Sequence, residues 1–128
     1  KGAVVADDYA HHPKEIEVTL KAAKTLGFKN IWVIFQPFTF SRTFLLLNDF
    51  AKVLSVADKV LLTPIMGSRE VNTYNIYSEN LAEKIDNCRV FKDFAEISDY
   101  VKKNVEPETL VLTMGCGDVY KCAKKILN

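Results

Sequence analysis

The 128-residue sequence lacks the marks of many protein classes. It has no apolar stretch long enough to cross a bilayer, since the longest runs are IWVIF and VLL. It has no excess of one charge: the formal net charge is +1, which gives no strong pull on nucleic acid or anionic lipid. Three cysteines, Cys88, Cys116 and Cys122, are an odd number without zinc-like CxxC spacing. A reduced, cytoplasmic protein is the simplest expectation. No secretory leader is recognised, and no low-complexity linker or internal repeat appears. There is no Walker GxxxxGK[ST], no GxGxxG and no GxSxG, so phosphate cradling by those loops is excluded and no nucleophile elbow is present. The sequence opens at Lys1 without methionine and runs at once into an apolar segment, which suggests a domain of a longer protein.

What is present is one domain's worth of chain, about half apolar and a quarter charged. Apolar runs at Ala3–Ala6, Ile31–Phe35, Lys59–Thr63, near Cys88–Phe91, and at Thr109–Met114 read as strands. They are mostly continuous rather than alternating, as in a parallel sheet covered on both faces. Between them lie helical patterns. From Pro13, the residues Ile16, Leu20 and Ala23 share a face, with Gly27 as a stop. From Arg42, the residues Leu46, Phe50, Val53 and Ala57 predict one helix. Ser78 is placed to N-cap a helix through Ile85, and Asp93 one through Val101. A last helix runs from Gly117 to Leu127, with Val119, Cys122, Ala123 and Ile126 inward. The alternation predicts an α/β, Rossmann-like doubly wound, mostly parallel sheet with helices on both faces.

In such sheets ligands gather at the carboxyl ends of the strands. Three polar clusters follow strands directly: DDYAHHP, QPFTFSRT and GCGDVY. A fourth irregular segment, residues 64–77, is long enough to suggest a functional loop. His11 and His12 are adjacent, so their side chains diverge, and no i, i+4 partner completes a metal site. One reading is a helix cap and a solvated ring; the other is a substrate contact near a helix N-terminus, which favours anions. Arg42 lies near a helix start, where the dipole disfavours a cation. That points either to a carboxylate or phosphate ligand, or to a salt bridge with Asp49 or Glu70. GCGDVY is half of a dinucleotide fingerprint at the wrong end of the domain, and a tight turn explains it equally well. The acid pair Asp7–Asp8 suggests a phosphoacceptor receiver. TPIMG stands where the acceptor aspartate would be and TMGCG where its lysine would be, which argues against that.

DDYAHHPKEI, FQPFTFSRT, ADKVLLTPIMGSRE and TMGCGDVYK, in this order, resemble the C-terminal domain of the Mur ligases of peptidoglycan synthesis, specifically the branch that joins L-alanine to UDP-N-acetylmuramate. The resemblance covers nearly all of residues 1–128. It implies an ATP- and Mg2+-dependent carboxylate–amine ligase working through an acyl phosphate, with N-terminal and central domains supplying the sugar-nucleotide site, the ATPase and most of the ATP and Mg2+ contacts. It implies that Asp8 contacts the ATP ribose and that Tyr9 lies beside the nucleotide or amino-acid pocket. His11 and His12 would lie near the muramoyl and amino-acid end, and Arg42 would bind the alanine carboxylate or the developing intermediate. Some family members carry histidine and arginine where this chain has Phe38 and Thr39. Arg69 would then supply a second cation, and Phe38 would wall a small pocket for a methyl side chain. The murein tripeptide ligase of cell-wall recycling is the nearest alternative. A free-standing nucleotide or anion binding module is the other. Alone, residues 1–128 are expected to fold but not to turn over.

Overall fold

Continuous β-branched and aromatic runs need cover on both faces, and the chain supplies it. The structure is a computed structural model that describes residues 2–128. The order is β1 (Val4–Asp8), α1 (Pro13–Lys24), β2 (Asn30–Phe35), α2 (Phe40–Leu45), α3 (Leu47–Leu54), β3 (Lys59–Leu62), α4 (Ser78–Ala82), β4 (Cys88–Val90), α5 (Phe94–Asn104), β5 (Thr109–Met114) and α6 (Tyr120–Leu127). The five strands form one sheet in the order β1-β5-β2-β3-β4, and every pairing is parallel. This is the expected Rossmann-like α/β architecture.

Strand side chains alternate between two cores. Ile31, Val33, Phe35, Leu110, Leu112 and Met114 meet Ile16 and Leu20 of α1, Phe50 and Leu54 of α3 and Leu81 of α4 on one face. Trp32, Ile34, Leu61 and Val111 meet Ile97 and Val101 of α5 and Cys122 of α6 on the other. Thus α1, α3 and α4 cover one face, and α5 and α6 cover the other. β5 lies between β1 and β2, and the helix that follows it leaves to the face opposite theirs. That reversal opens a crevice at the carboxyl edge, where α/β sheets hold their ligands.

Several boundaries depart from the sequence reading. β1 extends to Asp8, so both acids end the strand rather than follow it. The ladder to β5 carries them, pairing Asp7 with Thr113 and Asp8 with Met114. The Thr113 hydroxyl donates to Asp7 Oδ1 at 2.6 Å. The single helix expected from Arg42 is two helices, α2 and α3, divided at Leu46 (φ −111, ψ 21). The break leaves Leu46 N bonded to Arg42 O at 3.0 Å and Phe50 N to Leu46 O at 2.9 Å, so the apolar stripe runs through it. Ser78 does not cap α4. It is the first helical residue, its buried hydroxyl donates to Thr63 O at 2.6 Å, and Asn80 Oδ1 caps by accepting from Tyr77 N at 2.9 Å. That helix ends at Ala82, and α6 starts at Tyr120 rather than Gly117.

Candidate functional site

The ladders bring the three polar loops to one edge. Gln36 N donates to Met114 O at 3.1 Å, and Gly115 N donates to Asp8 O at 3.3 Å. The ends of β1, β5 and β2 are therefore level, and their loops emerge side by side.

The loop after β1 is tied to α1. Pro13 takes the first helical position, where its missing N–H costs nothing. His12 is the N-cap and is exposed. Glu15 Oε1 reaches back to accept from the amides of His11 and His12, each at 3.2 Å. These amides, His11's first, hold the Glu15 carboxyl below its ordinary value. The His11 ring is half-buried, with Nδ1 at 3.1 Å from Tyr9 O and 3.4 Å from Glu15 Oε1. A carbonyl can only accept, so this bond places a proton on Nδ1. In the neutral ring, the Nε2 lone pair is then the free acceptor. The Tyr9 ring is 69% exposed and stands edge-on to His11, with centroids 5.5 Å apart. Asp8 Oδ2 accepts from Ala10 N and from the Thr19 hydroxyl, each at 3.1 Å. Among the described residues its other oxygen has no such donor. Asp8, Tyr9, Lys14, Glu15, Val18 and Thr19 line a depression of about 420 Å³.

The loop after β2 is strained and pinned. Thr39 has φ 66 and ψ 146, a region nearly reserved for glycine. The long loop holds it there: Phe38 and Met66 form an isolated parallel bridge, with Thr39 N donating to Met66 O and Met66 N to Pro37 O, each at 2.8 Å. Thr39 Oγ1 accepts from Arg42 N at 3.3 Å and so caps α2. Glu70, also of the long loop, accepts from Ser41 N at 2.9 Å and from the Ser41 hydroxyl. The Ser41 hydroxyl, then its amide, hold the Glu70 carboxyl below its ordinary value, with a smaller contribution from Arg42.

Among the described residues no carboxylate oxygen lies within 4.0 Å of the Arg42 guanidinium, so the salt bridge to Asp49 or Glu70 is not formed. Its Nη1 is buried without a hydrogen-bond partner. Leaving a charged donor unpaired costs more than a typical hydrogen bond returns, so Arg42 is poised for an acceptor. Phe38 is half-buried and Arg69 is exposed.

The loop after β5 joins the other two. Burial pushes the Cys116 thiol up, while the charges of Arg42 and Glu15 act on it with opposite sign. Beside it, Gln36 is only 4% exposed, and its Nε2 donates to Asp118 Oδ1 at 2.9 Å. Gln36, Thr39, Glu70 and Asp118 were not legible as site residues. Gln36 and Asp118 are 82 positions apart and only the sheet joins them. The positive φ of Thr39 leaves no trace in its residue type. Among the described residues no three His, Cys, Asp or Glu side chains gather to hold a metal. No helix among them is long and apolar enough to cross a membrane.

A parallel sheet with an unpaired cation, two histidines and an acid at its carboxyl edge defines the class: a Rossmann-like α/β domain, of the kind whose ligands gather at that edge. The chain belongs to the family of the Mur ligase glutamate ligase domain, whose sequence model matches residues 1–117. It is 47% identical to the UDP-N-acetylmuramate–L-alanine ligase of Acetivibrio thermocellus over 97% of this chain and 27% of that protein. The crystal structure of the UDP-N-acetylmuramate–alanine ligase of Thermotoga maritima superposes with a TM-score of 0.72 at 28% identity, over 98% of this chain and 26% of that one. A murein peptide ligase from Psychrobacter arcticus shares the fold, with a TM-score of 0.76 at 22% identity, over 98% of this chain and 27% of that one. The chain thus spans about a quarter of the length of these relatives.

Proposed function

We propose that residues 1–128 are the C-terminal, amino-acid-binding domain of an ATP-dependent ligase that joins L-alanine to UDP-N-acetylmuramate. The observation that carries this reading is Arg42, a buried, unpaired guanidinium donor at the carboxyl edge of the sheet. A substrate carboxylate is the partner such a group lacks, and the alanine carboxylate is of the right kind. The alanine ligases among the relatives, at 41–47% identity, favour alanine over a tripeptide.

ATP would activate the muramoyl carboxylate as an acyl phosphate, which the alanine amine attacks. Residues of this chain fit the rim of the nucleotide. Asp8 offers a carboxylate oxygen to a ribose hydroxyl, and the exposed Tyr9 ring offers a flat face to the base. Among the described residues no phosphate cradle or metal cluster is formed, and these parts are assigned to the N-terminal and central domains. His11 Nε2, left free by the bond at Nδ1, is suited to accept a proton of the attacking amine, with His12 beside it at the helix start. Closure of this domain on the others would exclude water from the activated carboxyl group. Phe38 would wall the alanine methyl pocket and Arg69 would add a cation at its rim.

The test is Arg42→Ala in the full-length enzyme. Losing a hydrogen bond to a charged group costs about 1.5–3 kcal/mol, so the KM for L-alanine is expected to rise roughly tenfold to a hundredfold. An unchanged KM in a folded variant would reject the assignment.

A further inference from the structure

Among the described residues, both hydrogen bonds to the Asp8 side chain fall on one oxygen. Oδ2 accepts from Ala10 N, two residues on, and from the Thr19 hydroxyl, eleven residues on, each at 3.1 Å. The first is the local turn that an aspartate forms with the backbone two residues ahead. The second comes from another element, the second turn of α1. The Asp8 backbone is fixed separately, by its register with Met114 and by Gly115 N, which donates to Asp8 O at 3.3 Å. The sheet thus holds the main chain, while α1 holds the carboxylate.

A helical threonine or serine commonly turns its hydroxyl back to a carbonyl of the preceding turn. Thr25, Thr43 and Ser55 do so, each donating to an oxygen three or four residues back. Thr19 instead directs its one proton out of the helix, at Asp8. A carboxylate has lone pairs on both oxygens. Two donors on Oδ2 fix the plane of the group, and Oδ1 has no donor among the described residues. Asp8 and Thr19 line the same depression of about 420 Å³, with Tyr9, Lys14 and Val18. The depression therefore holds an oriented acceptor.

We propose that Thr19 is a positioning residue for the nucleotide: its hydroxyl turns the Asp8 carboxylate so that Oδ1 meets the ribose hydroxyls. This inference rests on the reading of Asp8 as the ribose contact and adds the group that orients it. Held by Ala10 N alone, the carboxylate is free to turn about that bond, and a turned carboxylate no longer aims an oxygen at the sugar. Thr19 is carried by α1, which starts at Pro13 with His12 as its N-cap. One helix therefore places both the acceptor for the ribose and the imidazoles at the loop's other end.

The experiment measures KM for ATP and for 2′,3′-dideoxy-ATP in the full-length ligase, comparing the parent with Thr19→Val, Thr19→Ser and Asp8→Ala. Losing a hydrogen bond to a charged group weakens binding roughly tenfold or more, so the parent is expected to show a dideoxy-to-ATP ratio of KM of about ten or above. Thr19→Val is expected to raise the ATP KM severalfold and to bring the ratio well below the parent's, with the alanine KM unchanged. Thr19→Ser keeps the hydroxyl and is expected to keep the parent's ratio, and Asp8→Ala to abolish it. A purely structural role for Thr19 would affect both nucleotides alike and leave the ratio where it was. The parent's ratio in folded Thr19→Val overturns the proposal, and should that variant not fold, Thr19→Ala is held to the same criterion. A ratio lost in Thr19→Ser would assign the effect to the methyl group and overturn it equally. If Asp8→Ala abolishes the ratio and Thr19→Val does not, the positioning role alone fails. If the parent does not distinguish the two nucleotides, the ribose reading of Asp8 fails, and the role of Thr19 with it.

Discussion

Thr39 shows what a single residue contributes to the site. Its φ of 66 with ψ 146 strains a β-branched side chain by about 1–3 kcal/mol. Two hydrogen bonds to the long loop hold it there, and the result is a capped start to α2 that places Arg42. Glycine would adopt this geometry freely, at a conformational-entropy cost of about 0.5–1 kcal/mol and a few tenths for the lost cap. The strain is the larger quantity, so Thr39→Gly is expected to stabilise the chain by about 1 kcal/mol and raise Tm by a few degrees. Thr39→Val keeps the strain and loses the cap, and is expected to cost about 1 kcal/mol. Thermal unfolding of both variants checks the ordering, and a destabilised glycine variant would count against strain. In the full-length enzyme the glycine variant is expected to have a higher alanine KM despite its stability, because Arg42 is then less firmly held.

At the scale of elements, α2 depends on a loop remote in sequence. Its first-turn donors are met by Glu70, whose carboxyl is held below its ordinary value of 4.5 by Ser41. A carboxylate with a depressed folded value stabilises the fold above the ordinary value, and this contribution is lost as pH falls through the folded value. Glu70→Gln is therefore expected to be less stable than the parent near neutral pH. The gap should shrink from about pH 4.5 downward. Denaturant titrations at a series of pH values test this, and a gap independent of pH would exclude the charge as its source. The same element marks the limit of sequence reading. The strands were legible because buried parallel strands read as unbroken apolar runs, and Asp93 was legible as a cap because its carboxylate accepts from Glu96 N, three residues on, at 2.9 Å. The break at Leu46 was not, because the stripe through Leu46, Phe50 and Val53 continues across it. Ser78 was misread because its hydroxyl serves Thr63, a tertiary partner. Within the site, the histidines, Asp8 and Arg42 stood out by type and position. Gln36, Asp118 and Glu70 gain meaning only when distant loops meet, and no local pattern records that.

At the scale of the whole molecule, the proposed division of labour separates two quantities: a core expected to fold by itself, and a site expected to need other domains to react. Both sheet faces are covered, and Phe35, Phe50, Leu54, Ile97 and Met114 are almost fully excluded from water. Burying a large aliphatic or aromatic side chain is worth about 1.5–3 kcal/mol each, so the fold is expected to hold without neighbouring domains. The edge that carries Asp8, His11, Gln36 and Arg42 is the opposite case. On the proposed reading it offers a rim for a nucleotide and unpaired groups for an amino acid, and among the described residues no loop cradles a polyphosphate. Positioning and water exclusion supply much of the acceleration in such transfers. The expectation is that residues 1–128 alone unfold in one cooperative transition and show no ATP turnover with L-alanine and UDP-N-acetylmuramate present. Calorimetry and a phosphate-release assay check the two halves of that statement separately. Phosphate release by the isolated chain would place the catalytic centre on this domain and contradict the division of labour proposed for it. A broad, uncooperative melt would instead show that the two cores need the rest of the enzyme.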